Sequence, residues 1–268
     1  MLTSLTSRVA VVTGGGEGIG RAISHALAAA GARVAVADID AAAAERVARE
    51  LTDAGARVLA ARVDVADAAA VEALAERVER ELGPVSVLCN NAGVLLEGPL
   101  VESPLEDWQW VLSVNVMGVV HGVRAFAPRM RAHGQGGHIV NTASMAGLAP
   151  RLEGRAGIYA ASKAAVVGYT ELLRAELARD GIGVSALCPS TVATRIWEAS
   201  RNRPASLGPG RNVPRPPRAT DALDPNAVGP LVVHGILEDR AYIYTGDDAE
   251  PRLQDRFERL LRDARAQA

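Results

Sequence analysis

The sequence predicts a doubly wound α/β fold, a parallel sheet covered by helices on both faces. Three observations lead there. Short apolar, β-branched segments alternate with helical stretches along most of the 268 residues, as in strands buried on both faces and joined by crossover helices. A glycine cluster stands between the first strand and the first helix, where such folds receive ligands. No Ser/Gly linker divides the chain, so residues 1–268 read as one domain.

Each element follows from local residues. Val9–Thr13 is a β-branched first strand, closed by Gly14-Gly15-Gly16-Glu17-Gly18-Ile19-Gly20. An Ala-rich helix then runs to about Ala30. Arg33–Asp38 is the second strand, and Asp40 is placed to cap a helix over Ala41–Ala54. Val58–Asp64 is the third strand, with Asp67 capping a helix that ends near Leu82-Gly83-Pro84. Val85–Asn90 is the fourth strand, about Ser103–His133 a long helical region, and Gly137–Ala143 the fifth strand. Tyr159–Asp180 is helical, Gly183–Cys188 is the sixth strand, and a charged helix covers about Pro251–Ala266.

Composition excludes several classes. The chain is 49% hydrophobic with a net charge of −2, so a sizeable core is available and nucleic acid is not the expected partner. No uninterrupted apolar run reaches the ~18 residues of a membrane span, and the first residues lack a secretory signal pattern. Cys89 and Cys188, each near the end of an apolar run, read as small buried hydrophobes. No His, Cys and acid cluster has metal-ligand spacing, so no metal is expected. A cytoplasmic protein is the expectation.

The unusual residues fall at the carboxyl ends of the strands. The spacing Thr13-Gly14-x-x-x-Gly18-x-Gly20 lets backbone approach a pyrophosphate, with the next helix offering its first amides. Asp38, 18 residues beyond Gly20, can accept from the ribose hydroxyls of an adenosine and repel a 2′-phosphate. Asp38 could also cap a helix, although Asp40 is better placed. Glu17 adds a second negative charge inside the glycine loop, and both acids favour NAD over NADP. Asp64 and Val65 close the third strand where an adenine could lie.

Positive charge is distributed unevenly: of 29 Lys and Arg residues, Lys163 is the one lysine. It stands four residues after Tyr159 in Tyr159-Ala160-Ala161-Ser162-Lys163, so the two side chains share a helix face. An ammonium is a compact point charge that a guanidinium does not replace. Lowering a phenol from a pKa of about 10 to about 7 takes roughly 4 kcal/mol, and one cation ~4 Å away supplies about that at an effective dielectric of 20.

Taken in order, the glycine loop, Asn90-Asn91-Ala92-Gly93, Asn115, Ser144 and Tyr159-x-x-x-Lys163 resemble the short-chain dehydrogenase/reductases, from about Val9 to Thr194. The resemblance implies a Rossmann-like sheet, an NAD(P) cofactor and a catalytic tetrad of Asn115, Ser144, Tyr159 and Lys163. Tyr159 would be the base, Ser144 would hold the substrate oxygen, and Lys163 would also hold the nicotinamide ribose. Ser144 also reads as a strand-end cap. Asn115, a polar amide in the apolar stretch Val114–Gly118, would bend its helix and anchor a water leading from Lys163 to solvent. The cofactor set comprises Gly14, Glu17, Gly18, Ile19, Gly20, Asp38, Asp64, Val65, Asn91, Gly93, Tyr159, Lys163, Val192 and Thr194. The implied activity is hydride transfer between NAD and a secondary alcohol or ketone in a homo-oligomer, a dimer or a tetramer.

Three segments depart from the family pattern. Fourteen residues separate Ser144 from Tyr159, a segment expected beside the substrate. Pro189-Ser190 stands where the family usually has Pro-Gly. The tail has Tyr242-Ile243-Tyr244-Thr245 and a charged helix in place of Val-Asp-Gly-Gly, which puts a standard tetramer in doubt. Residues 190–222, rich in Pro, Gly and Arg, read as a substrate lid with Trp197 over the pocket, or as a mobile surface loop. The Glu198–Pro204 stretch and the tail are similar to a branch oxidising bulky secondary alcohols such as lignin-fragment aryl carbinols or terpenoid alcohols. Arginines in the loop allow an acidic substituent. The alternatives are an NADP-dependent carbonyl reductase, a non-catalytic dinucleotide sensor, and a sugar-nucleotide epimerase or dehydratase, which needs more chain after Thr194.

Overall fold

The structure, a computed structural model, describes residues 2–152, 157–210, 213 and 222–267. In chain order its elements are β1 (Val9–Thr13), α1 (Gly18–Ala29), β2 (Arg33–Asp38), α2 (Ala41–Asp53), β3 (Val58–Arg62), α3 (Ala68–Glu81) and β4 (Val85–Asn90). Then follow α4 (Leu105–Leu112), α5 (Gly118–His133), β5 (Gly137–Thr142), α6 (Met145–Leu148) and α7 (Gly157–Leu177). The chain closes with β6 (Ile182–Cys188), α8 (Val228–Leu237), β7 (Tyr242–Tyr244) and α9 (Ala249–Arg265). All seven strands are parallel, in the order β3-β2-β1-β4-β5-β6-β7.

The order reverses between β1 and β4, so the loops after these two strands part and leave a crevice at the carboxyl edge. Two apolar layers hold the helices that frame it. On one face Ile23 and Leu27 of α1, Val47 and Leu51 of α2, and Val232 and Ile236 of α8 pack with strand residues Ala10, Val12 and Val36. On the other, Val71, Leu74 and Val78 of α3 meet Phe126 and Met130 of α5 over Val11 and Leu88. Each fully buried aliphatic side chain contributes about 1.5–3 kcal/mol.

The expected caps are present: Asp40 accepts from the Ala43 amide at 3.1 Å and Asp67 from the Ala69 amide at 2.9 Å. Other boundaries differ. The third strand stops at Arg62, because Asp64 turns its carboxylate back onto the Ala66 amide at 2.9 Å. The region read as one helix over 103–133 is divided by a π-helical turn at Ser113–Met117. By length and hydropathy Leu105–His133 could cross a membrane, but 56% of that window is buried in the protein, so it is a core helix. The helix α8 and the edge strand β7 are additions to the sequence reading; Tyr242–Tyr244 is too short for a periodic signal and is held by Ala186–Cys188.

Candidate active site

The crevice opens into one cavity of about 710 Å³. Its dinucleotide end is built by backbone. Gly14 has φ +61°, and a Cβ there would lie 2.9 Å from Ala92 Cα, so only glycine lets the loops after β1 and β4 meet. Asn91 ties them further, donating from Nδ2 to the carbonyls of Thr13 and Gly14 at 3.1 and 3.2 Å. Gly14, Glu17, Gly18, Ile19, Asp38, Asp64, Val65, Asn91, Gly93, Val192 and Thr194 all line the cavity. Gly20 does not. A Cβ on it would sit 2.0 Å from the Gly14 carbonyl oxygen, so Gly20 seats α1 against the loop instead of facing a cofactor.

Asp38 accepts from the Gly16 amide at 2.9 Å and the Asp40 amide at 3.0 Å. Burial nevertheless raises its pKa, with those two bonds working in the opposite direction. Glu17 corrects a sequence expectation. It is ion-paired to Arg195 at 2.9 Å and Arg201 at 2.8 Å, so it is not the free negative charge that would repel a 2′-phosphate. Asp38, which also lines the cavity, is ion-paired to no arginine among the described residues. Val65, which is beside the expected adenine position, has its carbonyl held by His121 Nδ1 at 2.9 Å; no sequence proximity links the two.

At the other end Ser144, Tyr159 and Lys163 line the cavity together. Lys163 is 2% exposed and donates to the Thr142 carbonyl at 2.6 Å. Its Nζ lies 5.8 Å from the Tyr159 ring centroid. Burial lowers the Lys163 pKa to about 8, which leaves it mostly ammonium at neutral pH. Burial raises the Tyr159 phenol, and a hydrogen bond from Ser144 offsets part of that. Burial therefore works against both charged forms, the ammonium and the phenolate.

Asn115 is fully buried and does not line the cavity. Its Oδ1 accepts from the Val94 amide at 2.8 Å, and its Nδ2 donates to the Val94 carbonyl at 2.9 Å and to Ser162 Oγ at 3.0 Å. The π-helical turn supplies the wide turn that presents this amide. Asn115 thus ties the Tyr159–Lys163 helix to the loop segment Gly93–Val94 and lies outside the cavity lining.

The substrate end is roofed by the lid segment. Trp197, in the 3₁₀ turn Ile196–Asn202, lines the cavity, and its Nε1 is buried without a partner. Arg203 anchors this segment: it pairs with Asp107 of α4 at 2.7 Å, both side chains at most 9% exposed, and stacks 5.3 Å over Trp110. That pair ties Arg203 to α4; residues 211–212 and 214–221 of the expected lid, and 153–156 of the expected substrate border, lie outside the described residues. Sequence reasoning missed Asp107, Trp110 and Arg203, whose local signals are an ordinary amphipathic helix and an arginine-rich loop. Among the described residues no His, Cys, Asp or Glu group could hold a metal ion.

Comparison with known proteins agrees with this geometry. Residues 8–205 match the short chain dehydrogenase family model. The 1-deoxy-11-beta-hydroxypentalenate dehydrogenase of Streptomyces exfoliatus is 39% identical over 260 residues, covering 96% of this chain and 90% of that enzyme. The C alpha-dehydrogenase of Sphingobium sp. strain SYK-6 is 32% identical, over 95% of this chain and 85% of its own. A short chain dehydrogenase/reductase from Burkholderia phymatum, solved in complex with NAD, superposes with a TM-score of 0.89 at 41% identity, covering 98% and 97% of the two chains. With its family model, its full-length relatives and its parallel sheet in agreement, the chain belongs to the short-chain dehydrogenases.

Proposed function

We propose that the protein is an NAD-dependent dehydrogenase that interconverts a bulky secondary alcohol and its ketone. The observation that carries it is the meeting of Ser144, Tyr159 and Lys163 in the same cavity as the glycine loop and Asp38. The residues fit a dinucleotide: the glycine loop lines the cavity, the first amides of α1 are free of side-chain caps, and an acid ends β2. When bound, the nicotinamide supplies the two-electron acceptor. Ser144 Oγ holds the alcohol oxygen, and Tyr159 Oη takes the hydroxyl proton as the carbinol C–H leaves with its electron pair. Lys163, fixed by Thr142, stabilises the developing phenolate, and Asn115 keeps its helix in register with Gly93.

Trp110, Trp197, Val94 and Leu95 around the substrate end favour a large, mostly apolar skeleton. The relatives point the same way: one is named for a hydroxypentalenate, another as a C alpha-dehydrogenase. Leu112, Met117 and Leu172 are exposed on α4, the π-helical turn and α7, which supports a homo-oligomer, a dimer or a tetramer. Two free buried thiols suit a reducing cytoplasm. The test is a panel of cyclic and benzylic secondary alcohols with NAD, followed at the absorbance of reduced nicotinamide, for the native enzyme and Tyr159→Phe. Turnover by the native enzyme and a loss of at least about a thousandfold in the variant are expected. Undiminished turnover by Tyr159→Phe removes the proposed base.

A further inference from the structure

Four side chains outside the proton-transfer group gather beyond Ser144. Arg151, after α6, and Arg252, in α9, both pair with Asp248, each at 3.2 Å. Ser190, just after β6, donates its hydroxyl to the same carboxylate. One acid thus gathers the segment after α6, the turn after β6 and the tail, which are the three segments set apart by the sequence. Arg252 also donates from Nη2 to the carbonyl oxygens of Met145 at 3.0 Å and Ala149 at 2.7 Å. It therefore grips both ends of α6, the turn that starts at Ser144.

The two guanidiniums line the cavity, whereas Asp248 does not. The acid lies behind them. Burial alone would raise the Asp248 pKa, but the Ser190 hydroxyl and the Arg252 charge hold it below its ordinary value, so it is ionised at neutral pH. These four groups then carry two positive charges and one negative. Burial lowers the Arg252 pKa, and the Arg151 charge lowers it further. A second anion facing the pair would offset the repulsion between the two guanidiniums.

We propose that Arg151 and Arg252 form an anion subsite that selects secondary alcohols carrying a carboxylate remote from the carbinol. The Arg151 guanidinium offers a fork that matches a carboxylate, while Arg252, whose Nη2 is engaged by two carbonyls and whose Nε is buried, adds its charge. The subsite flanks α6, the four-residue helix, about 6 Å long, that begins directly after Ser144. A tie for the tail alone needs only Arg252 and Asp248. Arg151, 42% exposed at the cavity rim, adds a second cation that no tie requires.

The inference rests on the dehydrogenase reading, and its test separates the two. The substrates are a hydroxydecalin carboxylate and its methyl ester, assayed with NAD on native enzyme, Arg151→Gln and Arg252→Lys. The native enzyme is expected to prefer the acid by at least about tenfold in kcat/KM, the worth of one charge-assisted contact. Each variant is expected to reduce that acid-to-ester ratio by about the same factor. A second arm needs no turnover: calorimetric titration of decalin carboxylate, which lacks the hydroxyl, into enzyme with NAD. Binding to native enzyme that weakens about tenfold in Arg151→Gln supports the subsite, even if neither alcohol is oxidised and the dehydrogenase reading of this skeleton fails. An acid-to-ester ratio unchanged by Arg151→Gln, or decalin carboxylate binding equally to both proteins, overturns it.

Discussion

Replacing Lys163 by Met deletes one charge from a site where its energetic role can be worked out. The ammonium stands 5.8 Å from the Tyr159 ring centroid, and at an effective dielectric of 20 a cation ~4–6 Å from a phenolate oxygen is worth about 3–4 kcal/mol. That corresponds to at least about a hundredfold in rate when the anion develops in the transition state. The fold should survive, because the lost bond to the Thr142 carbonyl is offset by no longer burying a cation at 2% exposure. Steady-state kcat with saturating NAD and alcohol at about pH 7 measures the loss, and thermal melting checks the fold. Lys163→Arg keeps the charge, yet should lose a similar factor. A planar guanidinium cannot occupy the point donor's place beside Gly93, where an added Cβ would already lie 3.4 Å from Nζ. A folded Lys163→Met enzyme turning over within about threefold of native refutes the electrostatic reasoning, and full activity in Lys163→Arg refutes the argument from placement.

Two further outcomes follow from groups on β2 and β5, on either side of the central β1–β4 pair. Asp38→Asn should narrow the preference for NAD over NADP by at least about tenfold, since Glu17 is already neutralised by Arg195 and Arg201 and a carboxylate ~4 Å from a phosphate is worth about 1–4 kcal/mol; the ratio of dissociation constants by fluorescence titration measures it. His138 is buried against Ser185 with its pKa pushed down to about 4. Between an unfolded pKa of about 6.5 and that value only the unfolded chain takes the proton, so stability falls as pH drops through this window and levels off below it. Urea unfolding should lose about 2 kcal/mol between about pH 7 and about pH 5, and His138→Gln should flatten that slope. An equally steep slope in the variant would assign it to other groups.

Much of the fold was legible because it is local: β-branched runs, Asp40 and Asp67 caps, and a glycine loop each act within a few residues. The same holds for Tyr159 and Lys163, which a helix turn brings together whatever surrounds them. Long-range pairings were not legible. Glu17 looked like a lone acid because its partners stand 178 and 184 residues away. Gly20 looked like its loop neighbours, although only the backbone crossing at Gly14 decides which way it faces. Asp107 and Arg203 meet across 96 residues, and nothing in either local sequence announces a buried pair. Arg252 lay in a charged helix whose periodicity says it is amphipathic but not that one residue enters the cavity.

The π-helical turn at Ser113–Met117 has a consequence for how this enzyme can change. On an uninterrupted helical wheel, the buried residues before it (Asp107, Trp110, Val111) and those after it (Val119, Val123, Phe126) centre about 130° apart, of which one extra residue removes about 100°. The wider turn absorbs roughly one residue's worth of rotation, so both sets point inward. The upstream half, which walls the substrate, and the downstream half, which seals the sheet, therefore keep separate phases. Substitutions in 105–112 can reshape what the enzyme accepts without rotating Phe126 or Met130 out of the core, whereas deleting a single residue from the turn would turn one half away from its partner layer.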